Sequence, residues 1–597
     1  MKIRNIILSS LLAGSVTYAE PLEITIPIYS IYPSGMSLQS MNVDTVHPQG
    51  DANTVIIGDL LSNNSSFSVV RSGGKGQTTS VFTRGTNSNH TLFMINGSAI
   101  TDHSTTNHLF DAGVDSVNYA TSIDLYKGSN SAYFGHNAIG GAVNINTDVS
   151  LSDELTISTG SNNTKLLSLQ KGFSNDAGLY SIKLGLDQSD GYSVVKNGDD
   201  DGYQYNYVNF DSEHWVNGGV VKTTVINRNT EVDLDGSGVD DTDYTSDQNF
   251  QLYQIIYQGN EVQWVLDHNA YDRQYVNGSE FDDYNSSTNH ARLSTNKTIN
   301  EIDFVLGSEV SMYSADFTNR GSYNSSVDKS AETYATFLNF DWIGERLIWN
   351  GGVRNDWHSL HDSAMTYRLG INYKLVDQLS MIAGTSTGFR SPSLYELYGA
   401  DNFGYTGNPN LKEETSVTYE IGLKADVEDS YSKFKSKSTF FITEITDQIT
   451  YANSTYNNDS DGKTVINGWD FSSQYSIDDT KINLGLMYVS AQDSDNNQLL
   501  RRPWWQGNIG VEQMVTDKLQ LWTGYKYYGK HKDTHSTNYT TITQDAQHNI
   551  DAGFKYLFKD DMLLTGSVTN LLNADNQRPH GYSQPGTEFS LSFKYFF

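Results

Sequence analysis

Two acidic runs are the places where ligand chemistry is most plainly written into this chain. Asp233-x-Asp235-Gly-Ser237-Gly-x-Asp240-Asp241 sets carboxylates and a hydroxyl at positions one, three and five before a glycine turn, as calcium loops do. Asp199, Asp200 and Asp201 form a second acidic group one hairpin earlier. Oxygen-only donors favour calcium over zinc or copper. Asp199, Asp201, Asp233, Asp235, Ser237, Asp240 and Asp241 are therefore candidate ligands of a structural Ca2+. The loop lacks the glutamate that an EF-hand carries at position twelve, and a merely solvated acidic loop is the competing reading. Cysteine is absent, which removes disulfides, thiolate metal sites and cysteine nucleophiles together. No nucleophile elbow and no metal-ligand histidine pair is present, so the chain reads as a non-enzyme with no catalytic residue or catalytic cofactor.

Those residues must be held by something, and the patterning says what. From about residue 148 to 597, segments of roughly ten residues alternate in hydrophobicity between Asn/Asp/Gly/Ser-rich connections. Phe589, Leu591, Phe593, Tyr595 and Phe597 fall on one face of the last segment, with Ser590, Ser592 and Lys594 on the other. Segments 179–186, 250–257, 333–340 and 519–527 read alike. An apolar stripe against a small polar stripe at period two is a strand between lipid and a wet lumen. At roughly 20 residues per strand and connection the region supplies about 22 strands, and so wide a lumen is open or plugged. The fold class is thus membrane all-β, a transmembrane antiparallel barrel. A soluble sandwich or propeller is the alternative, but the region is long for a sandwich and has no blade-length repeat.

Residues 41–147 form a compact, glycine-rich α/β block. Residues 20–40 carry three prolines and no sustained periodicity, and read as a mobile arm. Residues 1–19, with Lys2 and Arg4, the apolar stretch Ile6 to Leu12 and Thr17-Tyr18-Ala19, read as a secretory signal peptide. The composition agrees with a barrel. Mean hydropathy is −0.49, yet there are 38 tyrosines, 25 phenylalanines and 50 glycines, because alternation averages hydropathy toward polar. A net charge of −31 argues against nucleic acid, whose phosphates demand a basic surface.

Five stretches carry a resemblance. SVFTRGTNSNHTLFMINGSAITD (80–102) and DLYKGSNSAYFGHNAIGGAVNINT (124–147) lie in the α/β block. GFRSPSLYELYG (388–399), GNPNLKEETSVTYEIGLK (407–424) and TNLLNADNQRPHGYSQPGTEFSLSFKYFF (569–597) follow in order. In content, order and spacing the chain resembles the TonB-dependent outer-membrane receptors. That resemblance implies a 22-stranded barrel occluded by an N-terminal plug at 41–147, in the bacterial outer membrane. It implies TonB, working with ExbB and ExbD, as the periplasmic partner, outer-membrane lipid around the barrel, and the barrel assembly machinery reading terminal Phe597. Leu22-Glu23-Ile24-Thr25-Ile26-Pro27-Ile28 is the apolar, β-prone run before the plug and the candidate TonB box, where an extended segment adds to a partner's sheet edge. The resemblance also implies a plug–barrel latch, with Arg84 and Lys127 in the plug facing Glu420 and Asp470 in the barrel. Gly85, Gly140 and Gly141 would permit close approach where the plug meets the wall.

Within the family the chain resembles the vitamin B12 (cobalamin) receptors most. The outward plug loops Ser72 to Thr78 and Thr101 to His108 would then touch cargo, through Gly73, Gly74, Lys75, Gln77, Asp102, His103, Thr105 and Asn107. Neutral and acceptor groups there suit a large, amide-decorated corrinoid. A ferric siderophore, anionic and drawn to Arg/Lys clusters, is the first alternative. Haem is the second, although residues 391–407 hold no histidine, since His103 and His108 could meet an iron. A passive pore would lack both the plug stretches and the box.

Overall fold

The computed structural model describes residues 43–48 and 56–597, except 115, 196–197, 237–239, 242, 279 and 320–323. The signal peptide, the run Leu22–Ile28 and Ser237 lie outside the described residues. Two bodies are present, one inside the other.

The inner body is a five-stranded sheet. It comprises β1 (Val43–Val46), β4 (Thr91–Ile95), β5 (Ser98–Ala99), β6 (Ser122–Lys127) and β7 (Gly141–Asn146), beside a hairpin of β2 (Phe67–Arg71) and β3 (Thr79–Thr83). The sheet order is β1-β6-β7-β4-β5, with β4 and β7 parallel. Its helices are single turns, α1 (Ile57–Leu61) and α2 (Ser131–Phe134). Less helix forms than an α/β reading expects, because the block is rich in Ser, Thr, Asn and Gly, which favour turns and caps over helix interiors. Ile57, Leu61, Phe93, Ile95, Ile123, Leu125, Val143 and Ile145 form its core, continued by wall residues Tyr207, Ile226, Phe250 and Leu252. The plug shares one apolar core with the barrel wall.

The outer body is a closed barrel of 22 antiparallel strands. Closure pairs the first strand, Glu154–Gly160, with the last, Glu588–Phe596, in a register that runs from Phe596↔Glu154 to Ser590↔Gly160. No edge is left for another chain to pair with. The alternating segments fall on strands Gly178–Tyr192, Tyr244–Gly259, Ser326–Ile343, Leu519–Tyr528 and Glu588–Phe596, with only Phe597 beyond the last of them. Burial along Glu414–Glu428 shows the sense of the alternation. Ser416 and Thr418 are 4% and 0% exposed, whereas Tyr419 and Ile421 are 55% and 54% exposed. Apolar side chains point outward and polar ones inward, the inverse of a water-soluble sheet. No helix among the described residues is long and apolar enough to cross a membrane.

The two ends of the barrel differ. At one end every connection is two or three residues, from 176–177 to 560–561. At the other, some are as short as 453–454 and others as long as 391–413, which holds α3 (Leu394–Tyr398). Short turns mark the periplasmic side of such barrels and longer loops the outer side. Trp215, Trp264, Trp342 and Trp349 all lie within a few residues of the short turns. They form part of an aromatic girdle at the membrane–water boundary.

Candidate functional site: the plug–barrel seam and the outer mouth

After β3 the chain turns sharply at Arg84 (φ +49°) and Gly85 (φ +83°), and this turn lies against the barrel wall. A Cβ on Gly85 would stand 2.8 Å from Val489 Cγ2, so only glycine fits both the space and the backbone. Gly140 and Gly141 behave differently from expectation: the atoms crowding them are Thr86 and Tyr126 of the plug itself, not the wall. Their small size serves the packing of the plug's own strands.

The turn delivers Arg84 into a buried charge cluster. Its guanidinium lies 3.3 Å from Glu420 Oε1 and 3.2 Å from Asp470 Oδ2, and over the Phe441 ring at 4.5 Å. Lys127, at the end of β6, reaches Asp470 Oδ2 at 3.3 Å. All four residues of the expected latch therefore meet at one point. Two members were not foreseen. Asp44 on β1 is the nearest carboxylate to Lys127, at 2.7 Å, and Ser66 Oγ donates to Asp470 at 2.8 Å. Burial works against ionising Asp44, yet the charges of Lys127 and then Lys437 hold its carboxyl well below the usual range. A lone aspartate in a short strand offers no pattern by which sequence reading would find it.

A second seam holds the same turn from the outer side. Arg390 is fully buried and forks onto Glu396 at 3.0 and 3.1 Å, with a further bond of 2.8 Å to Glu414. Glu414 in turn meets plug His90 Nε2 at 2.5 Å. Arg502 binds the Gly85 and Thr86 carbonyls at 3.3 and 3.1 Å. Ser393 caps α3 by accepting the Glu396 N–H, and its hydroxyl donates to the Thr106 carbonyl at 2.6 Å. The stretches containing Arg390, Glu396 and Glu414 were conspicuous in the sequence. Their roles were not, because Arg390, Glu396 and Glu414 meet one another only in the fold and Glu414 alone reaches the plug, at His90.

The outward plug loops are placed as follows. Gln77 donates to the Asp233 carbonyl at 2.6 Å, Gly73 packs on Val194, and Gly74 lies against Tyr192. The Lys75 ammonium lies 5.9 Å above the Tyr203 ring. Asp102 is buried and accepts bonds from Ser104 and Ser286 while pairing with Arg273 at 3.2 Å. Gln77 and Asp102 thus tie the loops to the wall instead of facing cargo. Thr105 and Asn107 are half-buried, and Thr106 between them is exposed. His103 and His108 are buried side by side. A cavity between plug and wall is lined by plug residues such as Met94, Tyr133 and His136 and by wall residues such as Glu309, Arg354 and His358.

At the mouth, Asp199, Asp235 and Asp240 bring carboxylate oxygens within 4.8 Å of one another. Asp240, by hydrogen bond and charge, raises the carboxyl of Asp199 above its ordinary range, and burial followed by Asp240 raises that of Asp235. Each shift has a common remedy in a hard cation, and the donor set is all oxygen. Asp201 stands beside the trio, hydrogen-bonded to Asp235, whereas Asp233 and Asp241 do not join it. Asp201 accepts the Val194 N–H at 3.1 Å, Asp233 the Gly202 N–H at 3.2 Å, and Asp241 the Asn277 amide at 2.7 Å. They satisfy backbone and side-chain donors at the loop bases. The trio comes from two neighbouring connections rather than from one loop read in order.

Comparison with known proteins bears on the whole arrangement. Residues 44–571 match the family described as TonB dependent receptor-like, beta-barrel. Among solved structures, the siderophore receptor PirA from Acinetobacter baumannii superposes with a TM-score of 0.78 at 15% identity, over 94% of this chain and 99% of that one. A mutant of the ferric enterobactin receptor PfeA from Pseudomonas aeruginosa gives 0.78 at 14% identity, over 93% and 99%. The copper transporter OprC gives 0.79 at 14% identity, over 93% and 98%. At such identities these likenesses establish the fold alone.

Proposed function

Since this chain belongs to the TonB-dependent receptor family, outer-membrane β-barrels that take up small-molecule ligands with TonB, we propose that it imports a corrinoid. The observation that carries the transport reading is the ion cluster of Arg84, Lys127, Asp44, Glu420 and Asp470 at the centre of the seam. It seats the plug firmly, while the charges remain solvable by water if the plug is pulled. Removing one partner from a buried ion pair costs about 3–5 kcal/mol, whereas moving the plug exposes both partners to water and avoids that penalty.

Leu22–Ile28 is the handle in this reading. A strand pairing to TonB transmits force that ExbB and ExbD energise, while the barrel assembly machinery inserts the chain through its terminal strand and Phe597. Cargo bound at the mouth favours the plug state that presents the box, by its differential contacts with the two states. No covalent bond in the cargo is made or broken.

Two features support a corrinoid over a ferric siderophore. The outward groups at the plug apex are Thr105, Thr106 and Asn107, neutral donors and acceptors suited to amide side chains. The net charge of −31 and the acidic mouth disfavour an anionic chelate. Calcium at Asp199, Asp235 and Asp240 would order the mouth loops around the cargo. Titration of the purified receptor with cyanocobalamin, haemin and a catecholate siderophore, with and without calcium, tests the cargo. Cyanocobalamin is expected to bind, and more weakly in chelator. Binding of only the siderophore, or of only haemin, would transfer the reading to that cargo.

A further inference from the structure

Five histidines from distant parts of the chain meet where the plug apex touches the wall. His103 and His108 belong to the apical loop and His136 follows α2. His358 ends the wall strand Leu347–His358, and His361 lies in the connection after it. His103 Nδ1 lies 3.3 Å from His108 Nε2, with ring centres 5.0 Å apart and planes at 86°. His136 is centred 6.5 Å from His103 and 6.2 Å from His108. The pair is held from behind. His103 stacks on Tyr313 at 3.8 Å, the Tyr313 hydroxyl meets His358 Nε2 at 2.7 Å, and His358 stacks on His361.

Packing alone does not account for this cluster. Neither His108 nitrogen has a hydrogen-bond partner other than His103, although His108 is only 4% exposed. His136 Nδ1 is also buried and unpartnered, and the residue lines the cavity. A buried polar group left without a partner costs about 1–3 kcal/mol, so apolar rings would seal the seam better. Burial first, and then the neighbouring histidines, keep His103 and His108 well below their ordinary pKa. A neutral imidazole presents one lone pair, as a metal ligand must.

We propose that His103 and His108, with His136 as third ligand, form a binding site for one hydrated first-row transition-metal cation. With metal–nitrogen bonds of about 2.0–2.1 Å, two imidazoles on a tetrahedral ion stand about 3.3 Å apart at nitrogen and about 5 Å apart at ring centre. The His103–His108 pair has this spacing already. His136 is about 1 Å farther than a third ligand stands, and a side-chain rotation closes the gap without breaking a bond at Nδ1. A macrocycle does not fit between the pair. Trans axial nitrogens on a haem lie about 4 Å apart with the ring plane between them, and the Tyr313 stack occupies the space beside His103. Imidazole donors select zinc, copper, nickel or cobalt over the calcium that carboxylates take at the mouth. The acidic mouth concentrates cations above the site, and His358, His361, Glu309 and Asp356 line the cavity beyond it.

The site does not depend on which chelate the receptor carries. The test uses the full receptor purified without a polyhistidine tag, titrated with Zn2+ and Cu2+, and with Co2+ followed by visible absorption. One ion per receptor and an intense tetrahedral Co2+ spectrum are expected. The pair His103→Gln with His108→Gln should weaken binding by roughly 100-fold, having lost two nitrogen ligands. His136→Gln should weaken it less. The pair His535→Gln with His580→Gln, two rings 4.5 Å apart at the mouth, should leave binding unchanged. The unsubstituted receptor's spectrum does not depend on any variant folding. Absence of ion binding, or equal binding after His103 and His108 are replaced, would overturn the proposal. Cyanocobalamin and haemin are separate arms. Ion binding without chelate binding supports this site and removes the corrinoid reading, and chelate binding without ion binding does the reverse.

Discussion

Asp470 receives both plug cations on a single carboxylate oxygen, Oδ2, together with the Ser66 hydroxyl. Asp470→Asn leaves Arg84 and Lys127 sharing Glu420 and Asp44 in a buried site, a loss of about 3–5 kcal/mol in plug seating. Hydrogen exchange of residues 79–95 should accelerate accordingly while that of barrel strands distant from the seam stays slow. Lys127→Arg keeps the charge and should cost far less. The pH dependence has a definite sign. Asp44 has a folded pKa below its unfolded value, so its contribution is fully present above about pH 4 and is lost as pH falls further. The charges facing it are Lys127 and Lys437, with Arg84 and Asp470 next in the cluster. Plug protection should therefore hold from neutral pH to about 4 and decline below, and Asp44→Asn should flatten that decline. At this scale the sequence was only partly legible. Arg84, Lys127, Glu420 and Asp470 could be named through a family resemblance, since the partners lie hundreds of positions apart. Asp44 could not, and of the five histidines only His103 and His108 were singled out, because nothing local marks residues 44, 136, 358 and 361 as neighbours of the rest.

Strands were the most readable elements, because lipid on one side and plug on the other impose period two on every one of them. The last strand illustrates the consequence. Leu591 points to lipid, and Leu591→Lys should destabilise the inserted barrel by about 2–4 kcal/mol, measured by unfolding from a phospholipid bilayer. Ser592 points inward, and Ser592→Ala should stay within about 1 kcal/mol. Loops were less readable. The calcium pattern at 233–241 looked like a single loop, but a barrel sets neighbouring connections side by side, so Asp199 joins Asp235 and Asp240 while Asp233 and Asp241 face other donors. Gln77 and Asp102 show the same limit. Polar residues on an apical loop suggest cargo contact, and only the wall's position reveals that they fasten the loop instead.

On the scale of the whole molecule, closure, occlusion and charge fit one purpose. A 22-stranded barrel has a lumen too wide to leave open, and the plug fills it with a core shared with the wall. On the proposed function, ion clusters at the seam would let force rather than heat free the plug, and an acidic mouth would favour neutral or cationic cargo. The claim that binds these parts is energised transport through the N-terminal handle. Uptake and surface binding of labelled cyanocobalamin should be measured in cells bearing the full chain and in cells bearing the chain without residues 22–28. The account predicts that deletion abolishes uptake and leaves binding intact. Undiminished uptake by the deleted chain would contradict it.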